Sequence, residues 1–506
     1  MALIIGGVVP FRIGVLALLL AVLLDAAETA PSAPMVLAEA LRLAHTQGRD
    51  KQFQNEELQL IRMSLEKTQG DYGPIFSSSL NTDLYGTGSK DQPGNRQGAQ
   101  VGVRQSLPGG GTVTATTGAN RTAPPGSDPA TSGSTATVNL TQPLLRGAGL
   151  QAWREPLTAA ERSVRYSLRA HRRFVQQLSL DVARRYWALQ DRQFSVLQEQ
   201  RALEAAEWSV GLAKANLELG RANATALDVF RAETQVIQTS QRLVDSKAAF
   251  AAELDAFKVD LALPVDQPMA IEATRPVAVL VDVDTAQVIA TALAERSDLA
   301  TARDNIEDAD RALDRARRDL LPQLDALGST SWNGTFDGQR NEAYGGAPAW
   351  SVGLRLEIPL DQRQENLSYE SALIRRRQVA RQAELKRSQV IQEIQASLQT
   401  LRSLEATLAI QDRNRTQARL KVEKSLLDQR AGEAGNRDVV EAQEQLTQAE
   451  NAWFQAQAAY RAAELSLRHT AGVLVVAEDG AWSETPPPYA TLRRAAVPPK
   501  PPVKAP

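Results

Sequence analysis

The chain has no cysteine in its 506 residues. That excludes disulfides, thiolate metal sites, cysteine nucleophiles and a lipidated cysteine as membrane anchor. Histidine is almost as scarce: His45, His171 and His469 stand alone, with no second ligand at metal spacing, and each reads as a surface or packing residue. Neither sign of charge is in excess, with 57 basic against 59 acidic residues, so nothing suggests a nucleic-acid partner. Aromatics are 5% and alanine is abundant, which suits close helix packing better than a thick globular core. The one glycine cluster, Gly109-Gly110-Gly111, precedes a strand pattern and lacks a following Lys-Ser/Thr, so it is no phosphate cradle. Arg375-Arg376-Arg377 and the charges at Asp181, Arg184 and Arg185 read as solvated helix faces. No acid pair or nucleophile constellation stands out. No catalytic residue, metal or cofactor is expected, and the chain does not read as an enzyme.

Long apolar runs are also missing, with one exception. Ile13 to Leu24, preceded by Arg12, is too short for a comfortable transmembrane helix, which needs about 20 apolar residues. It fits the core of a secretory signal peptide over 1–30, a retained membrane anchor being the other reading. No other segment could cross a bilayer as a helix. An integral mature protein would therefore have to be a β-barrel.

What the chain does have is a repeat. A glycine break at Gly220 is followed by a capping-box pattern, Thr225 with Asp228 three residues on. Val229, Val236, Leu243, Phe250 and Phe257 then recur at every seventh position, one side of a coiled-coil seam. The same series returns 210 residues later as Val439, Leu446, Trp453, Tyr460 and Leu467, after a break containing Gly432 and Gly435 and an equivalent acid, Asp438. This is an internal duplication, each half carrying a long helical hairpin with its tip near Gly220 or Gly432. The first arm of each hairpin holds its own seam: Leu189, Val196, Leu203, Val210 and Leu217, then Ile394, Leu401, Leu408 and Val422, interrupted by Arg415. Each long arm, of nearly seventy residues, measures about 100 Å, and each return arm about half that. Helices expected over Met35 to Thr68 and Thr285 to Leu320 have the length to cover the remainder.

Before each hairpin the period changes to two. Phe76, Leu80 and Leu84 share one parity; Gln100 to Asn120 reads as two short strands about a Pro-Gly-Gly-Gly turn; Ala136, Val138 and Leu140 alternate with polar residues up to Pro143. Gly86 to Gly98 and Thr122 to Gly133 read as loops. In the second half Leu324 to Trp332 and Trp350 to Ile358 alternate, ending at Pro359. Pro143 and Pro359 stop ladder pairing where strand turns to helix. Strands near ten residues long, with Trp332, Phe336, Tyr344 and Trp350 near their ends, suit a membrane barrel with an aromatic girdle. A soluble β-subdomain would alternate in the same way.

The resulting layout is a first repeat over 31–263 (strands about 73–144, hairpin about 151–262), a connector over 264–284 and a second repeat over 285–471 (strands about 322–360, hairpin about 361–470). A proline-rich tail over 472–506, with the composition of disordered chain, follows. This duplicated helix-strand-strand-helix-helix unit resembles the TolC-like outer-membrane efflux and secretion channels. The marks are Leu140 to Gly149, Leu354 to Leu360, Ala292 to Leu299, Ala316 to Leu324 and the two tips ending in Asp-Val. The resemblance implies an α+β membrane protein acting as a homotrimer. Its β-barrel would sit in outer-membrane lipid and continue as a long α-helical coiled-coil barrel through the periplasm of a Gram-negative bacterium. Family members donate four strands each, for twelve in all; the Gln100 to Asn120 stretch leaves four or six per protomer open here. The resemblance further implies a passive exit duct of a tripartite efflux pump or type I secretion system, engaged by a periplasmic adaptor and an inner-membrane transporter. Adaptor contacts would fall at Gly220, Thr225, Asp228, Gly432 and Gly435. A constriction would be made by Asp438 and Glu441, whose first-repeat counterparts are Asp228 and Arg231. A periplasmic adaptor, or a coiled-coil scaffold without channel activity, is the alternative.

Overall fold

A computed structural model describes residues 34–85, 93–125, 130–219, 225–273, 278–337, 342–431, 436–483, 487 and 489–492. The 1–30 leader and the 493–506 end of the tail lie outside the described residues.

Each repeat is built on a 69-residue helix and a 35-residue return: α3 (Leu150–Glu218) with α4 (Ala226–Asp260), and α7 (Arg363–Ala431) with α8 (Asn436–Thr470). The heptad residues form the seams, and burial deepens away from the tips, from partly buried Val229 and Val236 to Phe257 at 1% exposure. In the second repeat Tyr460 and Leu467 are likewise buried. Arg415 interrupts the α7 seam with a purpose: its guanidinium lies 3.6 Å from the centroid of the Trp453 ring and pairs with Asp412 at 2.6 Å. A delocalised cation over an indole face can fill a seam position that a lysine would leave loose.

The stretches before the strands differ from expectation. Met35 to Thr68 is two helices, α1 (Leu37–Thr46) and α2 (Arg49–Gly70), and Thr285 to Leu320 is α5 (Thr285–Glu295) and α6 (Ser297–Arg318). The first break is enforced at Gly48, where a Cβ would lie 2.2 Å from the Ala44 carbonyl oxygen. The second is made at Arg296, which leaves the helical region with ψ 118° and buries its side chain. The four long-helix layers then share two slots. α2 and α4 lie end to end on one side of α3; α6 and α8 lie end to end between α3 and α7. The helical wall thus has two open edges, α2/α4 on one side and α7 on the other.

Two apolar clusters sit at the middle of this wall. One gathers Ala40, Leu180, Tyr186, Leu189, Phe257 and Leu465; the other Val288, Leu299, Val390, Ile394, Tyr460 and Leu467. The tail reading needs correction here. Leu474, Val476 and Trp482 pack into the first cluster, and β9 (Ala490–Leu492) pairs antiparallel with β5 (Val281–Val283) beside the second. Apolar residues this frequent after residue 472 are enough to dock the segment, which straps the two repeats together.

The strands are longer than expected and form one sheet. The first repeat supplies β1 (Ile75–Tyr85), β2 (Gly94–Ser106), β3 (Thr112–Ala123) and β4 (Thr131–Pro143). The second supplies β6 (Gln323–Asp337), β7 (Glu342–Gly345) and β8 (Ala349–Glu357). Gly94 to Gly98 and residues 122, 123 and 131–133, read as loop, belong to strands because ladder pairing continues through them. The order is β1-β2-β3-β4-β6, all antiparallel, with β7 and β8 succeeding one another along the far edge of β6. The sheet therefore has six passes.

Paired residues in an antiparallel ladder share a face. Following the rows gives Phe76, Val103, Ala115, Val138, Thr330 and Trp350 in one line, and Val113, Leu140, Gly328 and Val352 in another. Ser77, Gly102, Thr116, Thr137 and Ser331 make a line on the other face. One face is thus predominantly apolar in all six passes and the other predominantly polar. The apolar face is bare: Leu80 is 87% exposed and Val352 80%. Trp332 and Trp350 lie on it; the side chains of Phe336 and Tyr344 fall outside the described residues.

Candidate functional site: the conduit and its two tips

At the sheet end, the two strand-to-helix switches differ. Pro143 ends β4 and pairs with Asp325, and Leu144 N–H donates to the Leu324 carbonyl at 2.7 Å. The turn between β2 and β3 docks on this switch. Gly109 carbonyl oxygen accepts from Gly149 N–H at 3.0 Å and from Gln142 Nε2 at 3.1 Å. Gly109 and Gly110 hold φ of 114° and 90°, open to glycine, and a Cβ on Gly110 would come 2.5 Å from the Gly147 carbonyl oxygen. Trp153 Nε1 donates to Ser106 Oγ at 2.9 Å and its ring meets Tyr72 edge-on at 4.7 Å. Arg146, from the same motif, reaches Asp319 and Glu365 of the second repeat, both at 3.7 Å. Among the described residues Pro359 follows β8 without such bracing. Leu360 beside it is fully exposed, and Asp361 caps α7 by accepting from Arg363 N–H at 2.9 Å.

Halfway down, the Ala292 to Leu299 motif proves to be an ion cluster around a fully buried arginine. Arg296, with a fully buried side chain, holds Asp298 through two bonds of 3.0 and 2.7 Å, Glu393 at 2.5 Å and the Thr470 carbonyl at 3.2 Å. Burial alone would raise the Asp298 pKa, but the hydrogen bonds from Arg296, with Arg173 and Lys386 nearby, hold it well below the usual carboxylate range. This ties α5 and α6 to α7 and α8. Sequence reading had the motif but not its burial.

At the far end, Gly220, Gly432 and Gly435 lie outside the described residues. Thr225 and Asp228 form the capping box: Asp228 N–H donates to Thr225 Oγ1 at 3.3 Å, and Thr225 N–H to Asp228 Oδ2 at 3.1 Å. The Thr225 hydroxyl, the Thr225 amide and Arg231, 3.6 Å from Oδ1, depress the Asp228 pKa. On the second tip Asp438 and Glu441 are both exposed near the start of α8, either side of the buried Val439 and the partly buried Val440. Glu441 is partly compensated: Lys421 Nζ of α7 stands 3.7 Å from it, and Gln445 bonds both, at 3.2 Å to Glu441 and 2.8 Å to Lys421. Sequence reasoning missed a further link between the hairpins. Gln235 on α4 donates to Glu444 on α8, and Arg242 lies 3.4 Å from Glu444 and 3.3 Å from Glu199. The signal was available, since Gln235 and Glu444 are 209 residues apart, almost the repeat offset.

Among the described residues no helix is long and apolar enough to cross a membrane, and no group of three or more His, Cys, Asp or Glu is placed to hold a metal. A six-pass sheet with one bare, mostly apolar face, set on the end of helices about 100 Å long, defines a TolC-like fold. Residues 288–473 match the family described as outer membrane efflux protein, and that domain covers nearly all of the second repeat. The second repeat thus resembles the outer membrane efflux protein domain. Solved structures agree in fold. The outer membrane protein VceC of Vibrio cholerae superposes with TM-score 0.63 at 16% identity, over 86% of this chain and 96% of that one. CusC, a protein of transmembrane channel formation, gives 0.62 at 16%, over 86% and 92%. The outer membrane channel CmeC of Campylobacter jejuni gives 0.62 at 13%, over 86% and 85%. Identities this low speak for fold alone. No curated protein sequence matches.

Proposed function

We propose that this chain is the trimeric, trans-periplasmic exit duct of a tripartite efflux pump or type I secretion system. A periplasmic adaptor would engage the grooves at the two tips, and an energised inner-membrane transporter would load the duct from below. The observation that carries this reading is the pairing of a continuous apolar sheet face with open seams on the helical wall. Phe53, Leu60 and Met63 on α2, Phe230, Ile237 and Val244 on α4, and Ile374, Leu385, Ile410 and Leu427 on α7 are all exposed in the single protomer. Phe230, Ile237 and Val244 recur at every seventh residue, as a seam awaiting another helix does. The two open edges carry different helices, so their union is heterologous, the kind of contact that makes a ring when the rotation between copies closes.

The test is reconstitution. A channel stays with the outer membrane after high-salt washing, runs as a trimer in mild detergent and conducts in a planar bilayer. A photo-crosslinker at Thr225 should then capture an adaptor in cells that carry the partner pump. Release by salt as a monomer would overturn the reading in favour of a periplasmic scaffold.

A further inference from the structure

We propose that three copies of this chain close an eighteen-stranded barrel, half as many strands again as the twelve expected from four per protomer. The proposal rests on the trimeric channel reading above. Four observations lead to it. First, the β2–β3 hairpin is no appendage: β1 pairs along its whole length with β2, and β3 with β4, so neither strand can leave without breaking the ladder. Second, the apolar face continues across the added strands through Ala99, Val101, Val103, Val113 and Ala115, with Thr117 between them and the polar Gln97 and Arg121 only toward the outer end. A hairpin folded over the lumen or standing free in water would not need that face. Third, the hairpin's turn is built into the strand-to-helix switch through Gly109 and Gly149. Fourth, the open sheet edges, β1 and β7/β8, are continuous in sequence with the open wall edges, α2 and α7. A second copy that covers one edge is thereby placed to cover the other. Six passes are an even number, so β8 of one copy meets β1 of the next antiparallel, and no unpaired edge remains in lipid.

The arc lengths agree. Four helices side by side at about 8–10 Å span about 32–40 Å of circumference per protomer. Six strands spaced about 4.8 Å and tilted about 40° span about 38 Å, whereas four would span about 25 Å. An eighteen-stranded barrel is then about 36 Å across its backbone against about 24 Å for twelve, and barrels of that strand number hold an open aqueous lumen. The lumen face is hydrophilic, with Ser77, Ser79, Arg104, Thr116, Asn139, Arg355 and Glu357. The outer mouth therefore suits bulky hydrophilic cargo, and the tip alone sets the width limit.

The absence of cysteine makes the test clean. In purified trimer, Ser79→Cys on β1 is combined in turn with Ser351→Cys, Gly353→Cys and Arg355→Cys on β8, and oxidised. At least one pair should give reducible dimers and trimers on a denaturing gel. Two control pairs speak for twelve strands and overturn the proposal: Thr116→Cys with Ser351→Cys linking protomers, which puts β1 and β2 outside the barrel, or Ser79→Cys with Thr137→Cys linking within one protomer, which loops out β2–β3. Electron cryomicroscopy in nanodiscs gives the independent count, eighteen strands and a 1.5-fold wider barrel being expected and twelve overturning it. A monomer by mass in mild detergent, with no crosslink at any pair, would instead defeat the trimeric reading beneath the proposal.

Discussion

The two repeats agree where they span distance and diverge where they meet an environment. Their helices have equal lengths, 69 and 35 residues, because both must reach from sheet to tip. Their strands do not agree: the first repeat gives four passes and the second two. Their helix breaks are made by opposite chemistry, a glycine at 48 and a buried arginine at 296. Their tips pair acids differently, Asp228 with Arg231 of its own helix and Glu441 with Lys421 of the neighbouring helix. Duplication thus preserved the coiled-coil geometry, which tolerates no change of length in one arm alone. It left strand number, the chemistry of the helix break and the pairing of tip charges free to differ.

Acidification should have the largest effect, and it strikes both repeats. Burial pushes His45 down to about 4, with Lys51 adding to the effect, and the ring bonds Ser179 Oγ at 2.9 Å. Burial, with Arg173 and Arg296, also pushes His469 down to about 4. A base whose folded pKa lies below its unfolded value contributes nothing unfavourable above pH 6.5. As pH falls from 6.5 toward 4 the unfolded chain takes up protons first, and stability is lost at about 1.4 kcal/mol per unit, about 3 kcal/mol for each histidine. Helix melting followed by circular dichroism should show that loss, and His45→Gln should remove about half of it. Equal melting points at pH 7.5 and pH 4.5 would show that neither ring is buried neutral.

The two helix breaks provide the next comparison. Arg296→Ala empties a buried side-chain site and removes the closest partner of Asp298, which keeps Arg173 and Lys386, and of the exposed Glu393, at a cost of about 2–4 kcal/mol. Restoring neutrality with Asp298→Asn and Glu393→Gln should recover much of it. Gly48→Ala meets only the Ala44 carbonyl and should cost about 1–3 kcal/mol in backbone adjustment. Chemical denaturation of the assembled protein decides between them; equal losses would mean that the ion cluster is no more than a turn.

The lipid face offers a comparison between the added strands and those of the second repeat. Leu356→Arg on β8 and Val101→Arg on β2 should each cost about 2–4 kcal/mol near the bilayer midplane, and less near an interface. Glu357→Gln, on the lumen face, should be mild. Assembly yield in the outer membrane reads all three. A harmless Val101→Arg beside a harmful Leu356→Arg would take β2 out of the lipid-facing wall.

Much of this was legible in the sequence because it is periodic. The sevenfold seams and the 210-residue offset placed both hairpins, the alternation placed β8, and Pro143 and Pro359 placed both switches. Strand lengths in the first repeat were not legible. Gly94 to Gly98 and Thr131 to Gly133 carry loop residues, and only pairing with a neighbouring strand makes them extended. The helix break at Arg296 was hidden for a different reason, since nothing local distinguishes a buried arginine from one on a solvated face. Of the tip residues, Thr225 and Asp228 announce their own capping box, but the compensation of Glu441 by Lys421 joins positions on two helices.

The smallest effect on stability belongs to the tips, where the comparison turns from structure to conduction. Asp438 and Glu441 lie three apart on α8 and share a face. Six such carboxylates in a trimer would form a ring that attracts cations and narrows a passage, an effect that salt weakens over about 10 Å at 0.1 M. The competing account is that acids at a helix start simply favour the positive end of its dipole. Stability does not separate the two, since either predicts a loss of about 1 kcal/mol for Asp438→Ala with Glu441→Ala. Current does. If the ring gates, the double substitution weakens divalent-cation block of single-channel current and lowers cation selectivity. Lys421→Ala, which removes the charge 3.7 Å from Glu441, strengthens both. Asp228→Ala changes neither, because Arg231 already offsets that acid in the first repeat. Should block and selectivity stay unchanged in the double variant while the trimer still assembles, the second tip's acids are helix caps, and the repeats differ at their tips in charge but not in task.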